Sequence, residues 1–226
     1  MIARAGIATE AASNGKRRKH DAIKTSFATS TRSDVGFVTS KGRMLRIHVG
    51  DIPSTGEAFD PGMATAAKAF LGLPKDEQVI TVIELNENNS LALGTKQGVV
   101  KRVVAEYPPK DEFELITLKD GDRVVGAAIA DTAEEYVLIT SDAQLLRFDA
   151  ASVRATGRAA AGISGINLSE GAQVISLGVI NKGEQPVVVT AAKSASTLAG
   201  IDGGSLKISA LTEFPAKGRA TGGVRS

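Results

Sequence analysis

The sequence predicts an all-β fold, a propeller-like array of four-stranded blades with incomplete blades at its ends, and three observations lead there. First, one segment returns along the chain: an apolar run ending in Thr, a short turn, and a second apolar run ending in Arg. It reads Val35-Gly36-Phe37-Val38-Thr39-Ser40-Lys41-Gly42-Arg43-Met44-Leu45-Arg46, then Leu91-Ala92-Leu93-Gly94-Thr95-Lys96-Gln97-Gly98-Val99-Val100-Lys101-Arg102, then Tyr136-Val137-Leu138-Ile139-Thr140-Ser141-Asp142-Ala143-Gln144-Leu145-Leu146-Arg147. Successive Thr positions are 56 and 45 residues apart, and repeats of roughly this length mark arrays in which each unit covers its neighbour. Second, the strands that end in Arg are apolar on both faces, with Leu145 and Phe148 on opposite sides, so both faces need cover. Third, only 64–71 is rich in helix formers, and Gly and Pro bracket it. A pair of β-sandwiches is the alternative packing of the same strands, and the repeat spacing disfavours it.

Taken in order, each copy reads as a hairpin, because two short β-rich runs flank a tight turn of Ser, Lys, Asp and Gly. A third strand follows at 78–83, 123–127 and 173–177. Between hairpin and third strand stand Asp51-Ile52-Pro53, Glu106-Tyr107-Pro108 and Ser152-Val153, with Glu213-Phe214-Pro215 after the last hairpin. Proline there ends pairing because it has no donor. A fourth hairpin is degraded, with Val187-Val188-Val189-Thr190, a longer polar loop, and Ser205-Leu206-Lys207-Ile208. Met1-Ile2-Ala3-Arg4 matches the second strand of a fifth copy. The expectation is one repeat domain over 1–226, with blades near 35–89, 90–135 and 136–186 and partial blades at 1–34 and 187–226.

Composition narrows the function. The 226 residues are 42% apolar and 23% charged with mean hydropathy +0.01, which excludes a disordered polyelectrolyte. No run approaches the roughly 20 apolar residues of a membrane span, and Arg4 interrupts any secretory signal, so no membrane partner is expected. Cysteine is absent, so there is no disulfide framework, thiolate metal site or Cys nucleophile, which suits a reducing cytoplasm. His20 and His48 have no spacing suited to a metal or a triad. Tyr107 precedes two prolines and Tyr136 begins an apolar strand, so packing is their expected role. The acids from Glu106 to Asp122 are irregularly spaced and interspersed with Lys110 and Lys119, which fits a solvated face better than a Mg²⁺ site. Neither catalysis, metal nor cofactor is expected, and a hydrolase has no nucleophile and base pair to offer.

Charge is unevenly placed. Residues 1–34 hold seven Lys/Arg against three Asp/Glu, 35–150 hold 12 against 18, and 151–226 hold eight against four. Basic ends around an acidic middle hint at a polyanion partner.

The repeat Thr-Ser-x-Gly-x-x-x-Arg, the segment Ser152-Val153-Arg154-Ala155-Thr156-Gly157-Arg158-Ala159-Ala160-Ala161-Gly162-Ile163-Ser164-Gly165-Ile166-Asn167-Leu168, and the ending Phe214-Pro215-Ala216-Lys217-Gly218-Arg219-Ala220-Thr221-Gly222-Gly223-Val224 resemble the C-terminal domain of the A subunits of bacterial type IIA topoisomerases, DNA gyrase and topoisomerase IV. The resemblance covers essentially the whole chain. It implies a β-pinwheel, a propeller variant whose blades exchange strands, with duplex DNA bent around a basic outer rim in the bacterial cytoplasm. It also implies a piece of a longer polypeptide, non-catalytic by itself, whose partners are the rest of its own A subunit, with the ATPase B subunit reached through it. One departure stands out. Gyrase A subunits resemble one another in a glutamine-led, arginine- and glycine-rich heptapeptide required for wrapping, and nothing here spells it. Gly157-Arg158-Ala159-Ala160-Ala161-Gly162 and Gly218-Arg219-Ala220-Thr221-Gly222-Gly223 look like its degenerate form, which favours the topoisomerase IV side.

The expected DNA contacts follow from register and charge. Arg46, Arg102 and Arg147 recur at one position, with Arg4 and Lys207 as weaker counterparts, so stacking would set them around one rim. Such a ring touches phosphates without reading bases. The bland reading is that they pair with blade acids such as Asp51 or Asp149. Lys16, Arg17, Arg18 and Lys19 form a dense basic loop, either a phosphate clamp or a solvated stretch. Arg158 and Arg219 follow glycines that permit close approach of main chain to phosphate, or simply make turns. Arg43, Lys101, Arg154, Lys217 and Arg225 complete the expected set. A propeller used as a protein-interaction module, docking a partner through its acidic stretch, is the rival reading.

Overall fold

Three consecutive hairpins each recruit a strand from further along the chain, and that exchange organises the fold. The computed structural model describes residues 2–5, 23–56, 64–193 and 204–225. The first blade is built from β1 (Asp34–Thr39), β2 (Arg43–His48) and β3 (Val79–Glu84). The second contains β4 (Leu91–Thr95) and β5 (Val99–Val103), followed by the short β6 (Glu112–Glu114) and then β7 (Val124–Ile129). The third opens with β8 (Ala133–Thr140) and β9 (Gln144–Asp149), passes through β10 (Ala155–Thr156) and β11 (Ile163–Ser164), and continues with β12 (Val174–Asn181). The chain then makes a hairpin of β13 (Val187–Lys193) and β14 (Gly204–Ala210) and reaches β15 (Val224–Arg225).

The sheets do not follow those sequence groupings. Their orders are β3-β1-β2-β6, then β7-β4-β5 with β10 and β11 on the outer strand, then β12-β8-β9-β15, and finally β13-β14. The outermost strand of each of the first three blades therefore comes from the following repeat. This is the strand exchange of a β-pinwheel. The third strands lie where the sequence puts them, except that β12 runs on to Asn181, because β8 begins at Ala133 and its early residues pair with Gly178 to Asn181.

The repeated Thr-x-x-Gly has a local cause. Gly42 and Gly98 adopt φ of 74° and 83°, and their N–H groups donate to the Thr39 and Thr95 carbonyls at 3.0 Å. Ala143 takes the same left-handed position at φ 60°, with its N–H 3.1 Å from the Thr140 carbonyl. The Thr95 and Thr140 hydroxyls accept the N–H of Val99 and Gln144, closing the turn from the side-chain face. The apolar residue of each connector is an anchor: Ile52, Val153 and Phe214 are buried just after single 3₁₀ turns at Val49–Asp51, Ala150–Ser152 and Leu211–Glu213. The one α-helix among the described residues, Ala67–Phe70, falls inside the predicted 64–71 stretch.

Both faces of the first three blades are packed, as the sequence requires, whereas Val187, Val189, Leu206 and Ile208 of β13 and β14 are exposed. Val38, Met44 and Ile83 of the first blade meet Leu91, Leu93 and Val103 of the second in one core. Ala92 and Val100 of the second meet Tyr136, Leu138, Leu146 and Phe148 of the third in the next. On the other face of β9, Leu145 packs with Val188, Leu211 and Phe214. Tyr136 and Tyr107 serve packing: the Tyr136 ring stands edge-on to Phe148 at 6.0 Å, and the Tyr107 hydroxyl donates to the Asn89 carbonyl. Burial raises both phenols above their ordinary range.

Candidate nucleic-acid interface

The register arginines lie at one position in successive blades, and two of the three are engaged inside the protein. Arg46 pairs with Asp34 at 2.7 Å and donates to the Pro108 carbonyl at 2.9 Å. Arg147 pairs with Glu135 at 3.0 Å and donates to the Leu211 carbonyl at 3.0 Å. Arg4 does the same without an acid, its Nε donating to the Ile52 carbonyl at 2.7 Å. In each case the acceptor belongs to the connector of the next repeat, so these side chains staple the exchanged strand's connector to the preceding blade. The acids lie two residues before the strand partner of each Arg, rather than at Asp51 or Asp149, and the Arg46 guanidinium with His48 behind it holds the Asp34 carboxyl below its ordinary range. Arg46 and Arg147, expected on the rim as phosphate contacts, are found in internal pairs that staple the exchanged connectors.

Arg102 is the exception. The residue matching Asp34 and Glu135 is Ser90, whose hydroxyl donates to Asp131 instead. Arg102 therefore stands half-buried without an acid partner.

Two further expected contacts, Arg43 and Lys101, are drawn inward by pairing and burial. Arg43 is gripped by both carboxylate oxygens of buried Glu77, at 2.7 and 2.6 Å, and also pairs with Glu112. Two acids neutralise it and raise its pKa further. Lys101 is 1% exposed, and its ammonium donates to the carbonyls of Leu115, Arg158 and Ala160 at 2.9, 2.8 and 2.5 Å. Burial pushes that ammonium down to about 8.

The remaining cations cluster on the exchanged segments. Ile163–Ser164 pairs with Val99 and Val100 on the second blade, and Val224–Arg225 pairs with Gln144 and Leu145 on the third. Gly157-Arg158 and Gly218-Arg219 precede these strands at the same distance, so the two glycine-arginine segments occupy matching places on consecutive blades. The Arg158 guanidinium sits 5.4 Å above the Phe113 ring centre. Arg219 donates to the Ser164 carbonyl, which ties one segment to the other. Arg154, Lys217 and Arg225 are exposed, and Lys217 donates to the Gly222 and Gly223 carbonyls at 3.3 Å. Among the described residues no carboxylate pairs with Arg102, Arg154, Arg158, Lys217, Arg219 or Arg225. On the first blade the same outer place is acidic, with Asp111, Glu112 and Glu114 all exposed. Lys207 is exposed on β14, away from this cluster in strand order. Lys16, Arg17, Arg18 and Lys19 lie outside the described residues.

Sequence reasoning missed Phe113 as the platform under Arg158. Its signal was a single apolar residue between two glutamates, the alternation of a one-sided edge strand. No group of three His, Asp or Glu placed to hold a metal occurs among the described residues.

A family model described as the DNA gyrase C-terminal domain, beta-propeller, matches residues 35–57, 114–131, 134–181 and 202–226. The chain belongs to this family. It is 30% identical over 220 residues to the DNA gyrase A subunit of Deinococcus deserti, a match covering 94% of this chain and 26% of that protein. The chain thus spans about a quarter of the length of the gyrase A relatives it matches. The crystal structure of the C-terminal domain of DNA topoisomerase IV superposes with a TM-score of 0.72 at 27% identity, over 86% of this chain and 58% of that one. The C-terminal domain of Escherichia coli ParC shares the fold, with a TM-score of 0.65 at 16% identity over 96% of this chain and 86% of that one. Within this gyrase-type domain the four family-model matches take in β1, β2, the exchanged strand after Arg219 and most of the third blade.

Proposed function

We propose that this gyrase-family domain binds and bends duplex DNA along the outer edge of its second and third blades, as the non-catalytic C-terminal part of a type IIA topoisomerase A subunit. The observation that supports it most is the set of acid-free cations on two consecutive exchanged segments, Arg154 and Arg158 on one and Lys217, Arg219 and Arg225 on the other. Arg102 lies on the strand that carries the first of them. Spaced, unpaired guanidiniums beside glycine-rich backbone suit phosphate oxygens, whose neutralisation releases counterions. Contacts to phosphate carry no base information, so binding through them is sequence-tolerant. Smooth bending of a 20–30 base-pair site by 40–90° costs about 1–6 kcal/mol, which a handful of phosphate contacts offsets. The acidic outer strand of the first blade interrupts the track, which favours a bend over a full wrap. Absence of the intact heptapeptide supports the topoisomerase IV side, with the domain steering which DNA crossings reach the cleavage core. In this reading its direct partner besides DNA is the rest of its own A subunit, with the ATPase B subunit reached through it, in the bacterial cytoplasm.

Titration against a duplex of about 40 base pairs at several salt concentrations tests this. The slope of log K against log salt should be near −4 or steeper, and Arg158→Ala with Arg219→Ala should make it shallower by about 1.8, since each neutralised phosphate contributes about −0.9. Undetectable binding at low salt would overturn the reading in favour of a protein-docking module.

A further inference from the structure

The repeat itself exposes an anomaly on the second blade. The residue before each register arginine is Leu45 in the first blade and Leu146 in the third, both buried and facing the preceding blade. In the second blade that residue is Lys101, as buried as the leucines. A lysine in a leucine's place costs stability unless its charge is compensated, and no carboxylate among the described residues does so. Three carbonyls compensate it instead. Leu115 follows the exchanged strand of the first blade, while Arg158 and Ala160 form the glycine-arginine segment on the second. The three N–H bonds of the ammonium are matched one to one with three acceptors, two of them in a segment where Gly162 adopts a φ of 79° and pairing resumes only at Ile163.

We propose that Lys101 is a positioning residue for DNA binding: its buried ammonium locks the 157–162 segment into the shape that presents Arg158 to phosphate, with Phe113 supporting the guanidinium from below. This rests on the proposed DNA-binding reading. The matching segment on the third blade has no buried ammonium, since Leu146 stands at the register of Lys101; its Lys217 reaches the Gly222 and Gly223 carbonyls from the exposed side. The third-blade segment is held differently, by the Lys217 N–H on the Arg147 carbonyl at 3.0 Å and the Ala220 N–H on the Gly165 carbonyl at 2.8 Å.

Lys101→Leu tests the proposal, because leucine already fills this place in two blades and the variant should fold; Lys101→Met is the alternative should it not. Two readouts are needed. Backbone amide exchange across 157–162 should accelerate about tenfold or more in the variant while β8 and β12 keep their protection, and unchanged exchange there would overturn the lock. In the salt titration the slope should become shallower by about 0.9, an affinity loss of about eightfold at 0.1 M relative to 1 M salt. Combining Lys101→Leu with Arg158→Ala should add nothing beyond Arg158→Ala alone. A general loss of stability would lower the binding-competent fraction without changing the slope, and additive effects of the two substitutions would overturn the positioning role. If the unaltered protein binds no DNA, the functional reading fails, and the exchange measurement still decides whether Lys101 holds the segment.

Discussion

Glu77 is the most demanding side chain in the first blade, a carboxylate 1% exposed whose compensation comes chiefly from Arg43. The Arg43 guanidinium holds it below the ordinary carboxylate range. Below about pH 4.5 the folded carboxylate then binds fewer protons than the unfolded one, so this pair's stability is present above that pH and is lost as pH falls through the lowered value. Arg43→Met should cost about 3–5 kcal/mol at neutral pH, because it strands a buried charge. Its deficit should shrink on acidification, since burial alone raises the Glu77 pKa and protonation removes the stranded charge. Urea denaturation of both proteins from pH 4 to 7 checks this, and a deficit that is flat with pH would contradict it. The sequence displayed Arg43 as one more cation of the repeat. Its partner Glu77 is 34 residues away and carries no local signal, so the pairing was not legible before the strands were placed.

At the scale of elements, packing between the second and third blades depends on two facing glycines. Gly94 of β4 and Gly126 of β7 are directly paired, and a Cβ on either would come within 2.9 and 2.7 Å of the Leu177 side chain on β12. At Gly126 the clash extends to the Leu177 backbone nitrogen at 2.8 Å, which has no rotamer to escape into. Gly126→Ala should therefore destabilise by about 1–3 kcal/mol through overpacking. Gly178→Ala, where the nearest atom would be 3.5 Å away, should stay within about 0.5 kcal/mol. Thermal or urea unfolding of the pair distinguishes them; equal losses would mean the blades part without cost. Hairpins and third strands were legible because periodicity and turn residues are local. The outer strands β6, β11 and β15 were not, since two or three residues carry no periodicity and each is a strand only because the edge of another blade receives it.

For the molecule as a whole, the decisive quantity is how charge is distributed among the outer strands. Acids line the exchanged strand of the first blade, and cations line those of the second and third. Asp111→Lys with Glu114→Lys alters exposed side chains outside any ion pair and should extend the basic track onto the first blade. The expected result is a steeper salt slope, by about 0.9 for each phosphate newly contacted, together with a longer protected footprint on DNA. An unchanged slope would place the DNA path elsewhere.

Fold class and strand repeat were determined by the sequence alone, because alternation, turn residues and repeat length act over a few residues and recur. The basic character of the glycine-arginine segments was equally plain. Tertiary structure decided which cations are available: Arg43, Arg46, Lys101 and Arg147 carry the same charge in the sequence as Arg158 or Arg219. They are engaged by Glu77, Asp34, three backbone carbonyls and Glu135 respectively. Charge is a property of a residue. Its availability to a partner depends on desolvation and pairing across blades, and those exist only once distant segments have been exchanged.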